Sequence, residues 1–417
     1  MRPSTDSNPE FPTHLSVDEA RRRVQDLCAP RRLPAEPVEL EGALGRVLAH
    51  DVVAPFDLPP FANSAMDGYA LRGDELPAQG ERRFRMIGCV LAGAVEAPPV
   101  GAGECVRITT GAPLPPGADT VVIKENVRAD GDAAMVAAGE SAGSNVRPAG
   151  EDYRRGDLAL RAGDVLTPAR LGVLASCGHA RAHVARRPRV ALFVTGDELV
   201  PPEQPLGFGQ IHDSNRYSLG GLLRSIGIEP VSAAHLRDDP AALRDALREA
   251  GERCDVVVSS GGVSAGEADF LPRLVAELGR VHFWKVRMKP GMPVLCGEIG
   301  NALVFALPGN PVSTIATFLA LVQPALSALQ GAAAVDAKRW KARLAASLTK
   351  KHDRLEFLRA RIESRDDGAL WATPLRKQGS GMLRGVAEAD ALIVVAESSR
   401  ELEAGAVVEV LPLPELC

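Results

Sequence analysis

The sequence predicts a multidomain protein of the α/β plus β class: a central doubly wound α/β domain flanked by a mixed N-terminal domain, an inserted small β domain and a C-terminal β domain. Three observations lead there. At 417 residues the chain exceeds what one hydrophobic core serves. From Pro188 to Gln330, apolar β-type runs alternate with helical segments, as βαβ units do. On either side of that stretch, short apolar runs alternate with turns such as Pro115-Pro116-Gly117 and Ala129-Asp130-Gly131, as in small β domains.

The elements follow in order. Residues 1–13 read as a disordered leader without an apolar signal core. Ser16 is placed to cap a helix, with Glu19 at the capping-box position, and the helix should run to about Cys28. Residues 14–55 and 148–187 form the mixed N-terminal domain, with a helix from Pro168 to Ser176; residues 56–147 form the inserted β domain. In the α/β domain, residues 188–330, Val190 to Val194 is a strand running into Thr195-Gly196-Asp197-Glu198. Tyr217 to Ile226 and Pro240 to Arg253 are helices, and Cys254 to Val258 is a buried strand. Ala332 to Lys341 reads as a linker or short helix. The C-terminal domain, residues 331–417, has strands near Glu356–Ile362, Ala391–Ala396 and Ala406–Val410.

Composition excludes several classes. A net charge of −5 argues against a nucleic-acid-binding surface. No stretch offers about 18 uninterrupted apolar residues, so no membrane is expected. The seven cysteines form no C-x-x-C pair and read as reduced thiols of a cytoplasmic protein. Cys177, His179 and His183 lie close in sequence, but Gly178 and the lack of a second ligand cluster argue against structural zinc.

Chemistry concentrates between residues 254 and 318, where three loops each follow an apolar run: Ser259-Ser260-Gly261-Gly262-Val263-Ser264, Met288-Lys289-Pro290-Gly291 and Leu307-Pro308-Gly309-Asn310-Pro311. Open α/β sheets gather their ligands at the carboxyl ends of their strands. Small residues there let backbone N–H groups approach an anion closely. With Asp269 and Lys289 nearby, the pattern describes a site for a phosphate-bearing ligand and a divalent cation.

These loops, together with Asn63-Ser64-Ala65-Met66-Asp67-Gly68-Tyr69-Ala70, Thr110-Gly111-Ala112-Pro113, Gly150-Glu151-Asp152 and Thr195-Gly196-Asp197-Glu198-Leu199, resemble in order the molybdopterin molybdenumtransferase family, related to the gephyrin E domain. The resemblance spans roughly residues 14–415. It implies a central domain of the molybdopterin-binding type, an elongated homodimer joined through the mixed N-terminal domain, and the last step of molybdenum cofactor synthesis. In that step molybdate enters adenylated molybdopterin and AMP leaves, with Mg²⁺ or a similar cation present.

The resemblance assigns Asp67, Thr110, Asp152, Glu198, Asp238 and Asp269 to catalysis, with Glu198 and Asp269 as metal ligands. Substrate binding falls to Ser64, Ser214, Asn215, Gly261, Gly262, Ser264, Pro308, Gly309 and Asn310. Lys285, Lys289, Arg359 and Ser380 would face phosphate and molybdate. Asp67 either steers pyrophosphate hydrolysis or positions the metal; belonging to another domain, it implies a cleft between domains and, in a dimer, between chains. Two departures stand out: Ala62, where the family often has Asp, and Met292, where it often has Lys. Loss of that cation would weaken anion binding by about 1 kcal/mol at a partly exposed site.

Two rivals belong to other classes. A molybdopterin adenylyltransferase shares the central domain but is a small single-domain enzyme. A gephyrin-like scaffold would use the same dimer to bind a partner peptide. Transient contact with the adenylyltransferase and with molybdoenzyme maturation proteins is a further expectation.

Overall fold

Seven strands form the central sheet of the computed structural model, which describes residues 11–263, 270–334 and 338–413. In spatial order they are Thr13–Leu15, Arg280–Val286, Leu295–Ile299, Ala302–Leu307, Val256–Ser260, Val190–Thr195 and Ser232–Leu236. Neighbours pair parallel except at Leu295–Ile299, which runs antiparallel to both sides. Val190, Leu192, Val258 and Phe305 enter one apolar core, while Ala191, Val257, Val304 and Ala306 enter another. Burial on both faces explains why these strands are continuously apolar. Asn215–Ser225 contributes Leu219 and Leu223 to the first core; Pro240–Arg253 and Leu271–Leu278 contribute Leu243, Leu247, Leu274 and Val275 to the second. This is the doubly wound arrangement expected.

Ser16 caps the helix Val17–Cys28, its side chain accepting from the Glu19 N–H at 3.1 Å. Val17, Ala20, Val24 and Cys28 of that helix join the first core of the central sheet, and Thr13–Leu15 extends the sheet's edge. Residues 13–28 thus pack with the α/β layer, not with the N-terminal segment that follows. The edge of Arg280–Val286 offers free backbone groups, and the helix has one apolar stripe to bury.

A helical run, Pro311–Thr317, Phe318–Val322 and Gln323–Leu329, crosses the first core. Its middle turn is a π-helix, with the Gln323 N–H reaching the Phe318 carbonyl. Pro324 has no N–H to give the Ala320 carbonyl; the Arg21 guanidinium donates to that oxygen at 3.0 Å instead. By composition this run could cross a membrane, but 83% of its apolar window is buried inside the protein.

The inserted sheet has six strands in the order Thr120–Ile123, Gly68–Leu71, Glu104–Ile108, Glu81–Val90, Ala133–Ala137 and Val127–Asp130. Around it, Ala35–Glu39 pairs with Arg181–Ala185, and Val52–Val53 with Leu158–Leu160, beside the helix Pro168–Ser176. Towards the C-terminus, Leu355–Ser364, Leu370–Pro374, Trp340–Leu344, Val407–Pro412 and Ala391–Val395 pair in sequence, and the last pairs again with the first, closing a barrel. Trp340 therefore opens a strand where a linker or short helix was expected. Met288–Lys289 leaves the central domain and pairs parallel with this barrel, Met288 opposite Leu355 and Lys289 opposite Glu356.

Candidate functional site

Val194, Ser260 and Leu307 lie level in three adjacent parallel strands, so their three following loops emerge side by side. Gly261 and Gly262 have φ of 97° and 63°. A Cβ on Gly261 would lie 2.5 Å from the Thr195 carbonyl oxygen, so only glycine lets the backbone turn here. Ser260 donates to the Pro308 carbonyl at 3.1 Å; Asn215 donates to Ser260 Oγ at 2.9 Å and to the Gly309 carbonyl at 2.7 Å. Because two bonds from one amide nitrogen end on a hydroxyl and a carbonyl, the Ser260-Gly261-Gly262 and Pro308-Gly309-Asn310 loops are fixed to each other through the start of the helix Asn215–Ser225.

These loops border a cavity of about 630 Å³. Glu198, Ser214, Asn215, Asp238, Gly261, Gly262, Pro308, Gly309 and Asn310 all line it. Glu198 is exposed and folds over Gly196, where a Cβ would meet its carboxylate at 2.6 Å. Asp238, half-buried, takes its N–H to Asp197 Oδ1 at 3.3 Å. Asp213, Thr195 and Gly381 line the cavity too and were missed as site residues. Asp213 is 3% exposed and accepts from the Arg216 N–H at 3.0 Å; its place directly before Ser214 and Asn215 was the available signal. Gly381 and Leu383 come from the barrel, so one wall belongs to the C-terminal part of the chain.

The remaining expected residues are placed elsewhere. Ser264 and Asp269 lie outside the described residues. Arg359 does not face the cavity: it is 1% exposed, and its guanidinium donates to Gln378 Oε1 and to the carbonyls of Lys377, Gly379 and Met382. Its burial follows from the alternation of Leu355–Ser364, which turns Phe357 and Arg359 to the same side. Arg359 thereby shapes the loop that carries Ser380, whose carbonyl accepts from Val312 N–H at 3.1 Å and whose neighbour Gly381 reaches the cavity. Lys289 pairs with Glu356 Oε1 at 2.8 Å. Lys285 has φ of 65° and sets its ammonium 4.3 Å from the Trp284 ring, outside the cavity lining; Trp284 Nε1 donates to the Val263 carbonyl at 3.0 Å.

Asp67, Thr110, Ser64 and Asp152 are also outside the lining. Asp67 Oδ1 accepts from the Thr110 N–H and hydroxyl, each at 2.9 Å, and Lys124 stands 3.6 Å away. The Thr110 amide above all, with its hydroxyl and Lys124, holds the Asp67 carboxyl below the usual carboxylate range. Ser64 is fully buried, its hydroxyl donating to the Met66 carbonyl at 2.5 Å, and so shapes the Asp67 loop from within. Asp152 is exposed, with its N–H on the Leu58 carbonyl at 2.9 Å.

A glycine-cradled cavity at the carboxyl ends of a doubly wound sheet defines a ligand-binding α/β protein, and residues 191–328 match the family described as a probable molybdopterin binding domain. Residues 15–178 match the MoeA N-terminal region (domain I and II), and residues 341–413 the MoeA C-terminal region (domain IV). The chain is 35% identical to the molybdopterin molybdenumtransferase of Haemophilus influenzae over 96% of its own length and 99% of that protein's. With the molybdopterin molybdenumtransferase of Staphylococcus aureus it shares 34% identity, covering 95% of each. A crystal structure of the molybdopterin biosynthesis moeA protein from Pyrococcus horikoshii superposes with a TM-score of 0.82 at 30% identity, covering 96% of this chain and all of that one. The chain belongs to the molybdopterin molybdenumtransferase family.

Proposed function

We propose that this chain inserts molybdate into adenylated molybdopterin and releases AMP, the last step of molybdenum cofactor biosynthesis. One observation carries the reading: loops following four strands of the central sheet and the start of the helix Asn215–Ser225 converge on one cavity in a family member and bring nine of the expected residues to its wall. The Gly261-Gly262 turn gives the pyrophosphate close backbone approach, and Asn215 and Ser260 keep that turn in register with Pro308-Gly309-Asn310.

Glu198 and Asp238 offer hard carboxylate oxygens at the cavity, and Asp269 follows the same glycine loop in sequence. This donor set suits Mg²⁺, which takes one or two carboxylates together with phosphate oxygens and water. Among the described residues no cluster of three His, Cys, Asp or Glu side chains is present. Bound Mg²⁺ would neutralise charge on the phosphates.

Asp67 and Thr110 are exposed and stand outside the cavity lining. We assign their contribution to a homodimer in which a second copy brings them to the cavity mouth, where the carboxylate steers water onto the anhydride or orients the metal. The chain works in the cytoplasm on small-molecule substrates, in line with its unpaired cysteines among the described residues.

Incubating the protein with adenylated molybdopterin, Mg²⁺ and either molybdate or tungstate should release AMP. Adenylation of molybdopterin from ATP, without that release, would replace this reading with an adenylyltransferase.

A further inference from the structure

A second cavity, of about 320 Å³, lies within the C-terminal barrel and shares no lining residue with the first. Thr349, Lys350, Glu356, Arg376, Gln378 and Arg400 supply its polar wall. Lys350 is 5% exposed. Its ammonium donates to the carbonyls of Arg354, at 2.9 Å, Ala396 and Glu397, and no described carboxylate lies within ion-pair distance of it. Three neutral oxygens satisfy its protons but leave its charge in place.

The acidic side chains nearby are engaged elsewhere. Glu356, 7% exposed, pairs with Lys289 at 2.8 Å; Glu397 pairs with Arg287. Asp353 is the other carboxylate whose field reaches Lys350, against Arg400, which opposes its charge. Arg400 donates to the Glu397 carbonyl at 2.7 Å and Arg376 makes no ion pair among the described residues, so the cavity lining sets three cations against one carboxylate, Glu356, whose ion pair is with Lys289. Burial, more than any neighbouring charge, depresses the Lys350 ammonium from the ordinary lysine range.

We propose that this barrel cavity binds a small tetrahedral oxyanion, of the phosphate, sulfate or molybdate class, at a site separate from the central cavity. Guanidinium forks from Arg376 and Arg400 match the oxygen edges of such an anion, and Lys350 acts behind them as a fixed point charge. Three lining cations against the single carboxylate Glu356, itself paired with Lys289, give the pocket its sign.

Calorimetric titration of the full chain with inorganic phosphate, and separately with molybdate, tests this site independently of any catalytic activity. Wild type should bind at least one of them. The double substitution Arg376→Glu and Arg400→Glu should weaken binding at least about tenfold. Both arginines are exposed, so the melting temperature should be unchanged. Arg83→Glu with Arg128→Glu, the same charge change on the inserted sheet and outside both cavities, should bind as wild type does. Preference for molybdate marks the site as one that holds substrate, and equal binding marks a general oxyanion site; either supports the proposal. No heat from either anion at about 10 mM, or undiminished binding by the double variant, overturns it.

Discussion

Around the central cavity, Asp213, Asn215 and Ser260 are buried and bound to neighbouring loops, whereas Asp67 and Thr110 stand exposed at the end of a separate sheet and bind chiefly each other. Both regions carry residues of the expected site, but only the first is assembled within one chain. The difference teaches that the cavity is fixed by contacts within one chain, while the Asp67 pair is ordered locally and, on the dimer proposed above, would reach the cavity from a second copy.

The largest effects should come from the two carboxylates. Glu198→Gln and Asp67→Ala should each lower AMP release about 100-fold. Only Asp67→Ala should leave AMP affinity, measured by calorimetry, within about twofold of wild type. Mixing the two variants should then restore about a quarter of wild-type turnover, since half the dimers are hybrids and each hybrid has one intact site. No recovery after subunit exchange would show that Asp67 and Glu198 serve within the same chain. Sedimentation should accordingly give twice the mass of one chain; a monomer at micromolar concentration rules out the shared site.

Next in size, Gly261→Ala should cost about 1–3 kcal/mol in urea unfolding, because its Cβ would meet the Thr195 carbonyl at 2.5 Å with φ at 97°. A neutral result would mean that the turn relaxes and that the cradle is not rigid. Arg359→Lys should cost about 1–2 kcal/mol, since lysine cannot reach all the loop carbonyls that Arg359 serves. If stability held while molybdate affinity fell, Arg359 would be a ligand after all.

The smallest effect concerns pH. Thr110→Val removes the hydroxyl donor, so the Asp67 carboxyl should titrate higher by NMR, and the acid limb of AMP release should move up in pH. The sign follows from linkage: the folded Asp67 value is depressed, so its stabilisation is full above the ordinary carboxylate pKa and is lost as pH falls through the folded value. An unchanged titration would assign the depression to the Thr110 amide and Lys124 alone.

Local patterns were legible in the sequence. The helix Pro240–Arg253 lies where its apolar period and Pro put it, and the strand read as Cys254–Val258 is found at Val256–Ser260. The glycine and proline loops could be placed because strand ends and turn residues are local signals. Long-range partners were not legible. Nothing near Thr13 says that it will edge the strand Arg280–Val286, and nothing near Arg359 says that its charge will be buried against loop carbonyls 18 to 23 positions away. The same holds for Lys289, whose counter-charge Glu356 is set by pairing between the central domain and the barrel.

That pairing also decides how a ligand can arrive. The Leu355 N–H reaches the Arg287 carbonyl at 3.0 Å, and Met288 and Lys289 continue the ladder, so the barrel wall that carries Gly381 and Leu383 is sewn to the α/β layer by main-chain bonds. Swinging that wall outward means breaking a sheet. The opposite rim, from Gly196 through Ile211 and His212, shares no strand pairing with the barrel among the described residues, and Ile211 is exposed there. With the barrel wall held by main-chain bonds, that side of the cavity is a fixed jamb, and any widening of the mouth falls to the opposite rim.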